Sequence, residues 1–277
     1  MTSTNTQLTA YIEGIGLIGP GLNNWQSGRE ILSGKQAYQS AKTIIPAPEL
    51  LPSAERRRAS DIVKLTLGTS LEAISCAGLQ SENLPSVFSF SNGDGVNCHT
   101  ICEMLASEDR QISPTRFHNS VHNAAAGYWS IATETMATSS VLCAYDGSFG
   151  AGLLDALTQV VVDKTRCILI ASDTPYPEPM FTNRPIPDNC SVALILSPQK
   201  SEHSLSHINV SITQDKADAF DDKTLEALRL AIPAARSLPL LQAIAQLTNQ
   251  QAGQPFKQRV VLDYLDNIRL AIEVSTC

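Results

Sequence analysis

The residues best placed to do chemistry in this 277-residue chain form one run, Cys143-Ala144-Tyr145-Asp146-Gly147-Ser148. Small and apolar residues from Thr138 to Ala144 lead into it, and Leu153, Leu154, Leu157 and Val160 follow at helical spacing. Strand, tight turn and helix make an elbow. Such a turn lifts one side chain off the sheet edge and points backbone N–H groups at it. A thiol there becomes a thiolate nucleophile. The residue set at the apex here is Asp146, a carboxylate that is stable as an anion near a helix N-terminus. It is a far weaker nucleophile than a thiolate and would repel the anion formed during attack. Asp146 therefore reads as a cap for the following helix, since an acid/base role lacks a His or Lys at recognisable spacing. Cys143 falls inside the expected strand, where a small buried thiol is ordinary.

Other candidate groups carry less. Cys98-His99-x-x-Cys102 puts two sulfurs at helical spacing beside a histidine, but no second pair completes a metal set. His118 and His122 are four apart with no Glu between them. Asn92-Gly93-Asp94-Gly95 follows an expected strand. Asp94 argues against phosphate binding there and for a plain turn. No metal and no cofactor are expected.

The elements that must position these residues alternate between strand and helix. Strands are expected at 9–18, 87–91, 138–144, 167–172 and 191–196, the last two continuous apolar runs that suit burial on both faces. Helices are expected at 24–34, from Arg56–Ser60 to Gly78, at 96–107, and at Asn123 to about Met136. Ile44, Ile45, Leu50 and Leu51 should anchor the extended stretch 41–52, and Ile112-Ser113-Pro114 should open a loop. Residues 173–187, with five prolines, should form another loop. Beyond Pro198 come an alternating edge strand at 207–212, helices at 222–231 and 238–249, and strands at 259–264 and 268–274. The order argues for an α/β sheet with helices on its faces.

Composition narrows the function. Hydrophobic residues make up 43% and charged residues 17%, enough for a sizeable core. The formal charge is −7, and no basic run exceeds Arg56-Arg57-Arg58, which argues against nucleic acid. No apolar run could span a bilayer, and Met1–Gln7 lacks the basic start of a signal peptide. Seven scattered cysteines read as reduced thiols in a cytoplasmic protein.

Three features at fixed spacing carry a resemblance: Ile112-Ser113-Pro114; Asn123-Ala124-Ala125-Ala126-Gly127, nine residues past the proline; and Asp146, twenty-three past Asn123. Together they resemble the N-terminal half of the β-ketoacyl synthases of the thiolase superfamily, over roughly residues 9–198. That family has I-S-P, then N-x-x-A-G at a helix start, then a strand ending at the nucleophilic cysteine. A gapless match sets Asp146 on the cysteine. The family's two histidines and its second-half glycine-rich loop find no counterpart, since His203 and His207 alone follow residue 200 and no His-Gly-Thr run occurs.

The resemblance implies a thiolase-like α/β fold: a mixed sheet with helices on both faces in residues 1–198, and a shortened α+β segment in 199–277 that completes it. It also implies a catalytically inactive chain length factor, similar to the short ketosynthase-like partner subunit of aryl polyene biosynthesis. The expected partner is an active β-ketoacyl-ACP synthase in a heterodimer, with acyl carrier protein bound indirectly or weakly. Thr138, Ser139, Ser140, Val141, Leu142, Cys143 and Ala144 would lie at the dimer seam, with Asn123 and its helix beside them. Phe117, His118 and Val121 would line the acyl tunnel, or merely pack their own loop. Two other readings stay open: an acyltransferase or thioester hydrolase using Asp146 or Cys143, and a homodimeric scaffold for acyl carrier protein.

Overall fold

A computed structural model describes residues 8–81, 83–248 and 254–277. In chain order the elements are β1 (Leu8–Ile18), α1 (Trp25–Leu32), α2 (Ser53–Arg58), α3 (Asp61–Cys76), β2 (Ser86–Phe90), α4 (Gly95–Ala106), α5 (Pro114–His118), α6 (Ala124–Thr133) and β3 (Ser139–Cys143). Then follow α7 (Ser148–Asp163), β4 (Cys167–Asp173), α8 (Met180–Asn183), β5 (Cys190–Ser197), β6 (Ser206–Thr213), α9 (Lys223–Ala231), α10 (Leu238–Leu247), β7 (Lys257–Leu265) and β8 (Ile268–Ser275). Short 3₁₀ turns at Tyr145–Gly147 and Pro233–Ser237 precede α7 and α10.

Among the described residues one mixed sheet holds all eight strands in the order β3-β2-β4-β5-β1-β6-β8-β7. β2 pairs in parallel with β3 and with β4, and every other pairing is antiparallel. The loops that leave the ends of β2, β3 and β4 therefore gather along one rim of the sheet, where α/β proteins place their sites.

Burial follows the residue pattern. β4 and β5 are buried along their whole length, as their unbroken apolar runs require. One face packs on α3 and α6 through Phe88, Ile168, Ile170 and Trp129; the other packs on α7 and α10 through Leu153, Leu157, Leu169 and Ile244. Each fully buried Leu or Val in these layers stabilises the fold by about 2 kcal/mol.

Four expectations need correction. The Arg56–Ser60 start does not run into one long helix: Ala59 turns extended (ψ 121°) and splits α2 from α3. β6 is no edge strand, since β1 and β8 flank it. Of the residues expected to anchor 41–52, Leu51 is buried, but Ile44 and Leu50 are exposed. Ser113-Pro114 opens the short helix α5, with the proline in its first turn, rather than a loop. The C-terminal end of the expected helix 238–249 lies partly outside the described residues.

Candidate functional site

The turn between β3 and α7 is built from residues that share a few polar atoms. Tyr145, not Asp146, holds the left-handed apex, with φ at +52°. Such a conformation is costly for a bulky residue and needs outside support. Ser148 supplies part of it: its Oγ accepts the Ala144 N–H at 3.0 Å and lies 2.7 Å from the carbonyls of Phe90 and Tyr145. The Ser89 hydroxyl donates to the Ser148 carbonyl and ties the turn to β2.

Asp146 does not cap α7. The helix has no side-chain cap bond, and both carboxylate oxygens turn elsewhere. Arg184 Nη2 donates to Oδ1 at 2.6 Å, and Arg236 Nη2 donates to Oδ2 at 2.9 Å. Arg184 comes from the proline-rich loop and Arg236 from the turn before α10, 38 and 90 residues away. Sequence reasoning looked for a nearby His or Lys, and no spacing rule points to either arginine. The Arg184 guanidinium also lies 3.5 Å from the Tyr145 ring centre, a cation–π contact that holds the strained residue. Charge-assisted bonds of this length are the stronger kind.

The C-terminal hairpin closes over this turn. A Cβ on Gly147 would lie 2.6 Å from the Tyr264 carbonyl oxygen, and one on Gly150 would lie 2.8 Å from its ring. The two glycines thus serve the approach of β7 rather than access for a ligand. Arg229, buried on α9, ties the same strand down through Asp263, and Glu226 on its own helix holds the guanidinium in place.

Beneath the turn lies Asp173, at the end of β4. It is buried, and it accepts the Ser91 N–H at 2.8 Å and the Ala234 N–H at 2.7 Å. Burial pushes its carboxyl up to about 6, against the pull of those hydrogen bonds and of Arg184. Cys143 is not the buried strand thiol expected; it is exposed at the end of β3. Crowding by its neighbours, and then Asp173, hold its thiol above the ordinary range, which disfavours the thiolate.

The expected seam residues lie at the sheet's outer edge, where β3 pairs only with β2. Thr138, Ser139 and Cys143 are exposed, while Ser140, Val141, Leu142 and Ala144 are half-buried. Asn123 is exposed at the start of α6 and makes no side-chain cap bond. Phe117, His118 and Val121 are all exposed on or after α5. The structure adds a neighbour that the sequence reading missed. α4 carries Val96, Ile101, Met104 and Leu105, yet Asn97 is its one buried residue. Met136, beyond α6, is 93% exposed. Val96 and Leu105 on α4, Phe117 and Val121 on and after α5, and Ile131 and Met136 on and after α6 are thus large apolar side chains left exposed. Cys98 and Cys102 are exposed, and His99 pairs with Glu103. Among the described residues no three His, Cys, Asp or Glu side chains are grouped to hold a metal, and no helix is long and apolar enough to cross a membrane.

A mixed sheet with helices on both faces, and a strand-to-helix elbow on its rim, define the thiolase-like ketosynthase fold. The chain belongs to the β-ketoacyl synthase N-terminal domain family, whose model matches residues 25–254. It superposes on a chain from the complex of the ketosynthase ApeO with its chain length factor ApeC from Xenorhabdus doucetiae. That match has a TM-score of 0.69 at 20% identity and covers 95% of this chain and 98% of that one. The ishigamide ketosynthase/chain length factor gives a TM-score of 0.72 at 12% identity, over 96% and 99%. AntDE:AntF, a type II PKS acyl-carrier protein in complex with its hexaketide-bound ketosynthase, gives 0.71 at 11% identity, over 97% and 99%. At these identities the likeness is one of fold. No curated protein matches the chain.

Proposed function

We propose that this chain is a non-catalytic, chain-length-factor-type subunit. It pairs with an active β-ketoacyl-ACP synthase and shapes the acyl tunnel in aryl polyene or related polyketide synthesis. The observation that carries this reading is the outer edge of β3 together with the exposed apolar side chains on and after α4, α5 and α6. A monomer seldom leaves so many large apolar side chains in water without a partner for them. The partner supplies the chemistry, which is acyl transfer to its cysteine followed by decarboxylative condensation. β3 lies at the seam, and Phe117, His118 and Val121 contribute to the wall of the partner's tunnel. Acyl carrier protein meets this subunit only weakly or through the partner.

The state of the elbow supports the non-catalytic part. Asp146 spends both oxygens on arginines, and the Cys143 thiol is held above its ordinary range. Neither is poised as a nucleophile.

Coexpression with a full-length ketosynthase carrying its cysteine and both histidines tests the reading. A stable one-to-one complex is expected. A chain that stays monodisperse alone and ignores the ketosynthase overturns the pairing. Thioester hydrolysis or acyl transfer by the isolated chain, lost in Asp146→Ala or Cys143→Ala, overturns the non-catalytic role.

A further inference from the structure

Cys98-His99-Thr100-Ile101-Cys102 on α4 is a motif that neither the elbow nor the sheet edge uses. It lacks the four ligands of a structural zinc site, yet it sets two thiols on one helical face. Residues four apart on a helix have Cβ atoms about 5–6 Å apart. Both thiols are free and exposed. No other two of the seven cysteines share a helix or a strand among the described residues. The helix that carries the pair is fastened at both ends. Asp94 Oδ1 accepts the Asn97 N–H at 2.9 Å, and the Ser107 N–H closes the last turn on the Glu103 and Met104 carbonyls. The two thiols are therefore held at their spacing before any ligand arrives.

That spacing separates the things two thiols can do. A disulfide needs Cβ atoms about 3.5–4.5 Å apart, so closing one here would unwind α4. An ion between the sulfurs replaces one S–S bond of about 2.0 Å with two metal–sulfur bonds of about 2.3 Å each, and the helix can stay intact. Burial first, then Asp94 and Cys102, push the Cys98 thiol up, which places the two sulfurs in each other's field. The Cys98 thiol donates to the Ser120 carbonyl at 3.8 Å, a weak bond that a metal–sulfur bond outweighs. His99 is taken by Glu103 at 3.2 Å, and no third His, Cys, Asp or Glu completes a cluster among the described residues. Zn(II) would be left short of ligands. Thiolates are soft donors that favour Cu(I), and Cu(I) is satisfied by two ligands in line.

We propose that Cys98 and Cys102 bind one Cu(I) ion as a two-coordinate bis-thiolate on the exposed side of α4. Each thiol gives its proton to water as its sulfur–copper bond forms, so one Cu(I) replaces two protons and no electron is transferred. α4 is among the elements assigned to the ketosynthase contact, so the site belongs to the unpaired subunit. It stands or falls independently of that contact.

Anaerobic titration of the full chain with Cu(I) against the chromogenic chelator bicinchoninate tests the proposal. The chain should withhold one Cu(I) from the chelator. Cys98→Ser and Cys102→Ser should each weaken binding by more than the roughly 10–100-fold typical of changing only a ligand's hydrogen-bond partner. The thermal midpoint should not move, because both side chains are exposed. A variant combining Cys76→Ser with Cys277→Ser should bind as the parent chain does, and X-ray absorption should show two sulfur neighbours. Failure to retain one Cu(I) overturns the proposal, as does retention that survives either single serine variant or is lost with Cys76 and Cys277. His122 packs its backbone beside Gly93, just ahead of α4, which makes its imidazole the other group to test. A nitrogen neighbour, with affinity lost in His99→Ala or His122→Ala, overturns the two-coordinate site. Zn(II) held as tightly as Cu(I) overturns the choice of ion.

Discussion

The sheet has two edges, and they are built in opposite ways. β7 carries Lys257, Arg259 and Asp263, two of them in ion pairs with Glu273 and Asp215, and a register shift near Asp263. Charges and irregularities are how a strand edge discourages pairing with another chain. β3 is Ser-Ser-Val-Leu-Cys, without a charge, a proline or a register shift. The helices beside it leave Phe117, Val121 and Met136 in water. One edge carries such devices, and the other, though short, lacks charges, prolines and irregularities. An open edge flanked by apolar side chains is what a strand-to-strand subunit contact requires.

The sharpest break of this contrast comes from charging the open side. Phe117→Glu combined with Met136→Lys should weaken ketosynthase binding by about 100-fold or more, near 3 kcal/mol. Because both residues are exposed, the thermal midpoint of the lone chain should stay in place; a midpoint that falls with the affinity would mean they serve this chain's own core.

Next in size is Asp146→Ala. It strips two arginines of their shared carboxylate and should cost about 2 kcal/mol, since the group is part-buried. Chemical denaturation would register the loss. Asp146 lies in the turn beyond β3 with its carboxylate on two arginines of this chain, so stability should drop while ketosynthase affinity changes little.

A pH-dependent effect belongs to Asp173, which secures the loop after β2, beside the open edge. Its folded carboxyl keeps its proton up to about pH 6, whereas an unfolded one loses it near pH 4. Between those values the folded state binds more protons, so this group makes stability fall as pH rises, by at most about 1.4 kcal/mol per pH unit. Asp173→Asn should remove that component. Stability curves of wild type and variant that stay parallel from pH 4 to 6 would refute it.

The mildest change concerns the closed edge. Lys257→Val with Arg259→Val should leave folding unaltered and yet produce concentration-dependent self-association in sedimentation experiments. Continued monodispersity would show that the charges on β7 are not what keeps it closed.

Much of the architecture is written in local patterns. The unbroken apolar runs at β4 and β5 and the helical spacing after Gly147 lead directly to buried strands and a packed α7. The family motif is legible too, because I-S-P and N-x-x-A-G are short and fixed in spacing. What local pattern misses is tertiary. Nothing near Asp146 announces Arg184 or Arg236, since ion pairs across 38 and 90 residues leave no periodic trace. The apolar residues of α4 look like any core stripe. Only the packed chain reveals that Val96 and Leu105 stay exposed and Ile101 and Met104 half-buried. The split at Ala59 escapes for a related reason: Arg56-Arg57-Arg58 are good helix formers, and the break follows from how α3 enters the core. The alternating pattern of β6 suits an edge strand, and the β7–β8 hairpin covers it.

β1 lies in mid-sheet, and 173 positions separate Ile18 from its partner Ser191 on β5. At synthesis rates of about 5–20 residues per second, β1 leaves the ribosome roughly 10–35 s before that neighbour exists. For that interval an eleven-residue strand, apolar along most of its length, is without either of its sheet partners. Production of this chain is therefore sensitive to whatever shields the first segment while the rest is made, so slowing synthesis should lower the soluble yield and added chaperone capacity should raise it.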